Sequence, residues 1–476
     1  MNDQTRDMVS PRHAFIIAAI VVAAVVLNSI FGFFNLESGH NSAKFLVGLY
    51  YAVGIILTLV AILNFELAVI ILIFLSPLAV YTFPGLKFFL TLSDVYLVIL
   101  VFLMFVRSNL RRERGIPSTH LNRIIFVLIA LTVLSMINSR DMLSGYTNLI
   151  QTLEFFVFAY FLIVVAVYKR GVLDAIIYAI VIVSALVSIQ GILQYIQLGG
   201  GDARVFGVLG HFNATGSYLA MNLVFTFNLA LGQKELKTKY FYYAIIILNT
   251  AALLMTFSRG AWIATILGIV LSAQIRGMIQ FIRAFALIVV AITVLAVAAP
   301  PQYIGRLYSV PRVADEASLS RLRQYEIAVD TISKYPLLGV GLGSNLEYVT
   351  LVYNEPQNSE IHNLFLHIGS ERGVPAMIAL VAIFVSFFVN IVRRIGRTKD
   401  PFFYSFYIAL FAAVVAFATV NMFAYQLLRG LGIPFAIFLA LFPAATYIED
   451  NAPAETEWAG MLSSLDLKRH HIEMGI

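Results

Sequence analysis

Long apolar segments recur along almost the whole chain, and they constrain its fold more than any other feature. A helix needs ~20 apolar residues to cross a bilayer, and about fourteen segments approach that length. Their approximate limits are 14–34, 45–63, 66–84, 86–106, 122–138, 149–168, 171–196, 213–232, 240–257, 261–275, 284–303, 362–392, 402–424 and 431–448. The sequence therefore predicts an all-α, polytopic transmembrane helix bundle of about 12–14 spans.

The scarcity of charge supports this prediction. Only 12% of the residues are charged and 60% are hydrophobic, whereas a soluble domain carries about 25% charge. The net charge of +6 is spread over short basic clusters between apolar segments, so it does not indicate a nucleic-acid partner. The chain has no cysteine, which excludes disulfides and thiol catalysis.

The basic clusters also predict an orientation. If the N-terminus is cytoplasmic and the spans alternate, every short basic cluster falls on the cytoplasmic side, as the positive-inside rule requires. We therefore expect a transmembrane domain over 1–448, a large outer loop over 304–361 and a cytoplasmic tail over 449–476. The first apolar segment is too long for a signal-peptide core and is predicted to be retained as a span.

Four features at the predicted outer face run against this charge bias. They are Arg204, Arg259, the pair Arg321 and Arg323, and the pair His362 and Asn363. Each has a simpler interpretation, since a boundary arginine can snorkel and a histidine at a helix start can be a cap. Their convergence on one face favours a functional site.

The loop over 304–361 contains two recognisable segments. Apolar residues at helical spacing from Leu322 to Ile332 predict an amphipathic helix suited to the membrane surface, with Ser318 or Ser320 as N-cap and Pro336 ending it. On this helix Arg321 and Tyr325 share a face. The glycine-rich segment 336–343 is interpreted as a tight turn whose backbone could approach a ligand.

Other common sites are missing from the sequence. It contains no phosphate loop, no Asp-x-Asp pair and no His/Glu spacing typical of a metal site. We therefore expect a metal-free site without a cofactor, built from arginines suited to a diphosphate and one histidine base.

Taken together, these motifs resemble the superfamily of bacterial O-antigen ligases and O-antigen polymerases, which are membrane glycosyltransferases. The likeness covers roughly residues 200–380. It rests on four stretches: Arg204 to Met221, Ser258-Arg-Gly-Ala-Trp262, Arg321 through Pro336 to Gly343, and His362-Asn-Leu-Phe-Leu-His-Ile-Gly-Ser-Glu-Arg-Gly373. The chain departs from the family pattern at Tyr325, where a tryptophan is common, and at Gly373-Val-Pro-Ala376, where Pro375 should alter the helix.

The resemblance implies a reaction and a set of roles. A glycan linked to an undecaprenyl-type lipid diphosphate would be the donor, a sugar hydroxyl the acceptor, and transfer would proceed with inversion at the periplasmic face of the bacterial inner membrane. By this analogy Arg259 and Arg321 would bind the diphosphate and His362 would be the base, with His367 as its competitor. Arg204, Arg323, Tyr325 and Asn363 would help to bind substrate.

The identity of the acceptor stays open. A ligase would transfer a finished glycan to lipid A-core, and a polymerase would join repeat units of an O-antigen or exopolysaccharide. A sugar-protein transferase of the same superfamily is a third possibility. A transporter or flippase would instead need ionisable residues deep in the membrane, and only Asp94 and Glu154 are predicted to lie deep, whereas Glu66 and Asp174 lie near span ends.

Overall fold

The computed structural model describes residues 53–78, 91–111, 117–201, 203–283, 286 and 316–451. The predicted span over 14–34, nearly all of 284–303 and the tail beyond 451 lie outside these residues, as do Arg6 and Arg12. In the described residues the regular structure is helical, and the predicted all-α class is confirmed.

Fifteen helices are numbered here in chain order within the described ranges. They are α1 (Val53–Leu63), α2 (Phe65–Leu75), α3 (Leu92–Arg111), α4 (Asn122–Ser135), α5 (Met142–Leu153), α6 (Tyr160–Ala166), α7 (Arg170–Gln197), α8 (Phe212–Gly232), α9 (Leu236–Met255), α10 (Arg259–Arg276), α11 (Glu316–Lys334), α12 (Asn345–Tyr353), α13 (Leu364–Ile395), α14 (Pro401–Val420) and α15 (Gly432–Asp450).

Six helical segments in the described residues are long and apolar enough to cross a membrane. They are Met142–Ala166, Arg170–Gln197, Leu236–Met255, Leu364–Ile395, Pro401–Val420 and Gly432–Asp450. Large apolar side chains such as Leu63, Phe102 and Ile137 are exposed on the outside of the bundle. Such a surface is expected where a helix bundle faces lipid rather than water, so the chain is a multi-pass membrane protein.

Helix α8 is the central element of the bundle. It packs against α7, α9, α10 and α14, and almost every side chain from Ala214 to Ala230 is buried. Small residues permit the close approach: a Cβ added at Gly216 would lie 2.9 Å from the Ser258 Cβ, and one at Gly268 would lie 3.2 Å from the Ala412 carbonyl oxygen. Close packing of this kind is how helices associate within a membrane.

Two predicted element boundaries were wrong. The span predicted over 149–168 begins at Met142 and contains a π-helical segment, Glu154–Ala159, between α5 and α6. Helix α11 already includes both Ser318 and Ser320, so neither of them is its N-cap. Its buried face is formed by Gln324, Ile327, Ala328 and Thr331.

The predicted apolar stripe of α11 is largely uncovered, because Leu322 and Val329 are 49% and 57% exposed. Helix α11 therefore has one face packed on the bundle and one apolar face turned outward, which suits contact with a membrane surface.

The expected distortion near Pro375 occurs in α13. Gly373 has a non-helical backbone, with φ 85° and ψ 170°, and divides the helix into two parts. The Val374 N–H, freed from the helix by this break, donates to the carbonyl oxygen of Pro336 at 2.8 Å. A Cβ at Gly373 would lie 2.1 Å from the Leu337 carbonyl oxygen, so only glycine fits this contact.

Candidate active site

His362 lies in the segment that leads into α13, where its ring is held by two acceptor oxygens. Its Nδ1 lies 2.9 Å from Oε1 of Gln324 and 2.9 Å from the carbonyl oxygen of Glu360. A carbonyl oxygen can only accept, so Nδ1 carries the proton in the neutral ring. The lone pair of the neutral imidazole is then on Nε2, the nitrogen that a general base uses to accept a proton.

The surroundings of His362 keep its ring neutral. Burial lowers its pKa from 6.5 to about 4, and the charge of Arg321 lowers the pKa in the same direction. At neutral pH the side chain is therefore a proton acceptor rather than a cation. Arg321 lies about one turn before Gln324 and Tyr325 on α11, and both of those residues hydrogen-bond to His362, so Arg321 lies on the part of α11 that packs on the histidine.

Tyr325 and Asn363 tie this region to the loop between α14 and α15. The Tyr325 hydroxyl donates to the carbonyl oxygen of His362 at 3.1 Å and to that of Met422 at 3.3 Å. The Nδ2 of Asn363 donates to the same Met422 oxygen at 3.2 Å. Its Oδ1 accepts from the second and third N–H groups of α13, so Asn363 is the N-cap of that helix.

The two arginines of α11 differ in their surroundings. The Arg323 guanidinium contacts both carboxylate oxygens of Glu355 at 2.9–3.2 Å and also pairs with Glu326 at 3.1 Å. These carboxylates raise its pKa above the usual range. Arg323 thus fastens α11 to the segment that precedes His362, whereas Arg321 lies beside His362 itself.

Arg259 is the first residue of α10 and follows a tight turn from α9, where the predicted spans 240–257 and 261–275 leave only three residues between them. The turn contains Phe257 with φ 51°, a left-handed conformation that is costly for a non-glycine residue. Arg204 supports the turn, since its guanidinium donates to the carbonyl oxygens of Thr256 and Phe257 at 3.3 Å each. The same group stacks over the Phe212 ring, 3.2 Å from its centroid.

The loop between α14 and α15 joins the arginine turn to the histidine segment. A Cβ on Gly260, the residue after Arg259, would lie 3.5 Å from the Phe423 Cβ. The carbonyl oxygen of Met422, the residue before Phe423, accepts the hydrogen bonds of Tyr325 and Asn363 described above. The turn that carries Arg259 and the segment that carries His362 therefore meet at one end of the bundle.

Sequence reasoning missed the partner of His362. Gln324 is only 3% exposed, and its Oε1 also accepts the backbone N–H of His362 at 3.3 Å. Asn363 caps α13, and the contact to the ring is made by Gln324. The signal available in the sequence was weak: Gln324 is a polar residue on the buried face of a helix, where it needs a partner.

His367, the competing base, lies in a buried cluster below this surface. Its ring stacks on Tyr425 with centroids 3.8 Å apart, and its Nε2 lies 3.5 Å from the Glu371 carboxylate. Its Nδ1 lies 3.4 Å from Nδ2 of Asn345. His367 is 6% exposed and is enclosed by protein groups, whereas His362 is only partly buried.

The glycine-rich segment 336–343 packs against protein backbone. Gly339, Gly341 and Gly343 all have positive φ, and a Cβ on any of them would lie within 2.7 Å of backbone atoms. The N–H groups of Val340 and Gly341 donate to the carbonyls of Ser370 and Glu371. The segment thus braces the break in α13. The sequence had suggested that its backbone could approach a ligand, but the backbone contacts protein instead.

The fold and this cluster define a multi-pass membrane protein with a histidine and arginine site at one end of its helix bundle. Residues 244–381 match the family model described as O-antigen ligase, which confirms the resemblance seen in the motifs over that segment. The match spans less than a third of the chain. It includes Arg259, Arg321 and His362 and excludes Arg204. It supports a membrane glycosyltransferase-type enzyme of the ligase or polymerase kind. A search of the curated proteins finds no match.

Proposed function

We propose that this protein is an inverting, metal-independent glycosyltransferase that moves a glycan from an undecaprenyl-diphosphate-type donor to a sugar hydroxyl. The observation that carries the proposal is the neutral His362 ring with its proton fixed on Nδ1, beside Arg321 and on the same end of the bundle as Arg259. The O-antigen ligase match over the segment that contains all three residues supports it.

In this mechanism the acceptor hydroxyl oxygen attacks the anomeric carbon while Nε2 of His362 takes its proton. The bond between that carbon and the diphosphate oxygen breaks, and its electron pair leaves with the diphosphate. Attack opposite the leaving group inverts the anomeric configuration. Gln324 is assigned as a positioning residue, because it holds Nδ1 and thereby aims Nε2.

Arg259 and Arg321 are assigned to the departing diphosphate. A guanidinium stays charged at any relevant pH and can bind two phosphate oxygens in parallel. Charge that develops on the leaving group is stabilised most strongly where water is partly excluded. Arg204 is assigned to position the turn before Arg259, since its own donors are directed at the Thr256 and Phe257 carbonyls.

The acceptor class is proposed as lipid A-core, which would make the protein a ligase. The alternative is a repeat-unit polymerase with the same site, and the two differ only in the acceptor that they use. The transporter hypothesis is less favoured. Asp174 pairs with Arg170 and Glu66 lies near Lys169, and all four side chains are partly exposed, so these two acids do not form a buried ion path. Glu154 is the buried exception, with 5% exposure.

The test is glycan transfer by the purified full-length protein in detergent, where no gradient exists to drive transport. The wild type should release lipid diphosphate and extend the acceptor. His362→Ala should lose roughly 10²- to 10⁴-fold in rate, and Arg321→Ala and Arg259→Lys on the order of 10²- to 10³-fold. Supplying lipid A-core in one reaction and a repeat-unit acceptor in another separates ligase from polymerase.

Arg323→Gln is the comparison variant, because it removes an arginine of the same helix that is already paired with Glu355, and it should lower the transfer rate only modestly. All variants should retain the elution volume and melting temperature of the wild type. Full transfer by His362→Ala without added metal would remove the base assignment. If the wild type transfers glycan to neither acceptor and consumes no donor in either reaction, the result counts against the proposed function.

A further inference from the structure

A cavity of about 520 Å³ lies at the end of the bundle opposite the candidate active site. Helix α13 begins beside His362 and runs through 32 residues to Ile395, where it reaches this cavity. At 1.5 Å per residue the helix is long enough to separate the two ends by the thickness of a membrane. The far ends of α6, α13 and α15 form the walls.

Three arginines line the cavity, and two of them have no counter-ion among the described residues. Arg394 pairs with Glu449 at 2.5 Å and with Asp450 at 2.7 Å. Arg393 and Arg397 are exposed, and their guanidinium groups have no hydrogen-bond or ion-pair partner within the described part of the chain. Like charges four residues apart repel each other, and an anion placed between them removes that repulsion.

The remaining lining changes from polar to apolar. Asn390 and Thr446 lie in the wall together with the arginines, and Val164 and Phe442 provide an apolar part. His120 also lines the cavity, and its Nε2 is buried without a hydrogen-bond partner among the described residues. A ligand with an anionic group and an attached hydrocarbon chain would match both parts of this surface.

We propose that this cavity binds the phosphate headgroup of an anionic phospholipid, with Arg393 and Arg397 contacting the phosphate and the acyl chains leaving along the apolar wall. Basic pockets between helix ends at the membrane surface are suited to such headgroups, and guanidinium forks bind phosphate oxygens in pairs. The proposal does not depend on the transferase reaction. A lipid bound in the cavity would stabilise the junction of α13 and α15.

The test uses the full-length protein, purified and depleted of lipid in a neutral detergent. Thermal unfolding is followed during titration with phosphatidylglycerol, with phosphatidylcholine and with sodium phosphate. We expect phosphatidylglycerol to raise the melting temperature in a saturable manner, and the other two to have little effect. A double variant, Arg393→Gln with Arg397→Gln, should weaken the apparent affinity for phosphatidylglycerol at least tenfold.

Lys237→Gln with Arg283→Gln is the matched control. Both residues are exposed at the same end of the bundle, outside the cavity, so this variant loses the same charge. It should bind phosphatidylglycerol like the wild type. Equal weakening in both double variants would show a general surface-charge effect and overturn the site. An equal response to sodium phosphate would overturn the lipid assignment.

A third variant has the opposite expected sign. Asp450 lies at the cavity with a 55% exposed side chain and adds negative charge beside Arg394. Asp450→Asn should therefore strengthen phosphatidylglycerol binding severalfold. A misfolded variant cannot bind more tightly, so this result separates loss of a contact from loss of structure. Unchanged or weaker binding by Asp450→Asn would contradict the proposal.

Discussion

The ring of His362 and the side chain of Gln324 come from segments 38 residues apart, yet Nδ1 of the histidine lies 2.9 Å from Oε1 of the glutamine. The contact fixes the ring proton on the inner nitrogen and leaves Nε2 as the acceptor. It also depends on α11 being held against the start of α13. The chemistry proposed for His362 is therefore a property of the packing of α11.

Gln324→Leu should lower the transfer rate about tenfold to a hundredfold, because the ring loses the group that aims it. The apparent KM for the lipid-linked donor should change little, since Gln324 is buried and does not face the donor. Gln324→Glu restores an acceptor and should recover much of the rate. If Gln324→Leu and Gln324→Glu are equally inactive at every pH, the positioning role is wrong.

The pH dependence of the wild type should have its acid limit well below the usual histidine range. The proton acceptor must be neutral, and the pKa of His362 is lowered to about 4 by burial and by Arg321. We therefore expect kcat/KM, which reports the free enzyme, to stay level as the pH falls through 6.5 and to decline only towards 4. Gln324→Glu adds a carboxylate beside the ring and should move this decline to higher pH.

The measurement is initial rate against pH at low donor concentration, with protein stability checked at each pH. A decline centred near pH 6.5 in the wild type would contradict the effect of burial on His362. A decline at the same pH in Gln324→Glu and in the wild type would show that another group sets the limit.

Arg323 and Glu355 should behave as one unit in a double-mutant cycle. Each single change, Arg323→Gln or Glu355→Gln, breaks the same ion pair between α11 and the segment before His362. The loss of transfer rate should be modest and similar in both, and the double variant should lose no more than either single variant. As a control, the losses caused by Arg321→Gln and Glu355→Gln should add in the double variant. If the losses caused by Arg323→Gln and Glu355→Gln also add, the two residues do not act as one unit.

Gly373→Ala should destabilise the protein by roughly 2 to 4 kcal/mol. The residue has φ 85°, and the new Cβ would collide with the Leu337 carbonyl. The measurement is thermal unfolding in detergent. Gly171→Ala is the control, because it lies in α7 with nothing within 4 Å of its Cβ position. Equal melting temperatures for the two variants would show that the 336–343 segment does not brace α13.

Single cysteines can test the proposed orientation, because the native chain has none. Gln357 is exposed and lies near His362, and Lys399 is exposed and lies beyond the other end of α13, so each is replaced by cysteine in turn. A membrane-impermeant maleimide applied from the periplasmic side should label the first and spare the second until the membrane is opened. Lys234→Cys should behave like Lys399→Cys. The reverse pattern would place the candidate site in the cytoplasm.

Much of the fold followed from the sequence, because the cost of exposing backbone and charge to lipid is large and local. The helices over 171–196, 213–232 and 402–424 were predicted to within a few residues at most of their ends. The predicted boundaries were wrong at two places. One example is the π-helical segment at Glu154, and another is the start of α11 before Ser318.

The sequence by itself determined the class of fold, the arginines and the histidine that run against the charge bias, and the turn that carries Arg259. Those features arise from hydrophobicity and chain direction, which act between residues close in sequence. Only the tertiary structure decided that Gln324 holds His362, that Arg323 is paired with Glu355, and that the glycines of 336–343 brace α13. These contacts join residues far apart in the chain, so their geometry is set by the packing of whole helices.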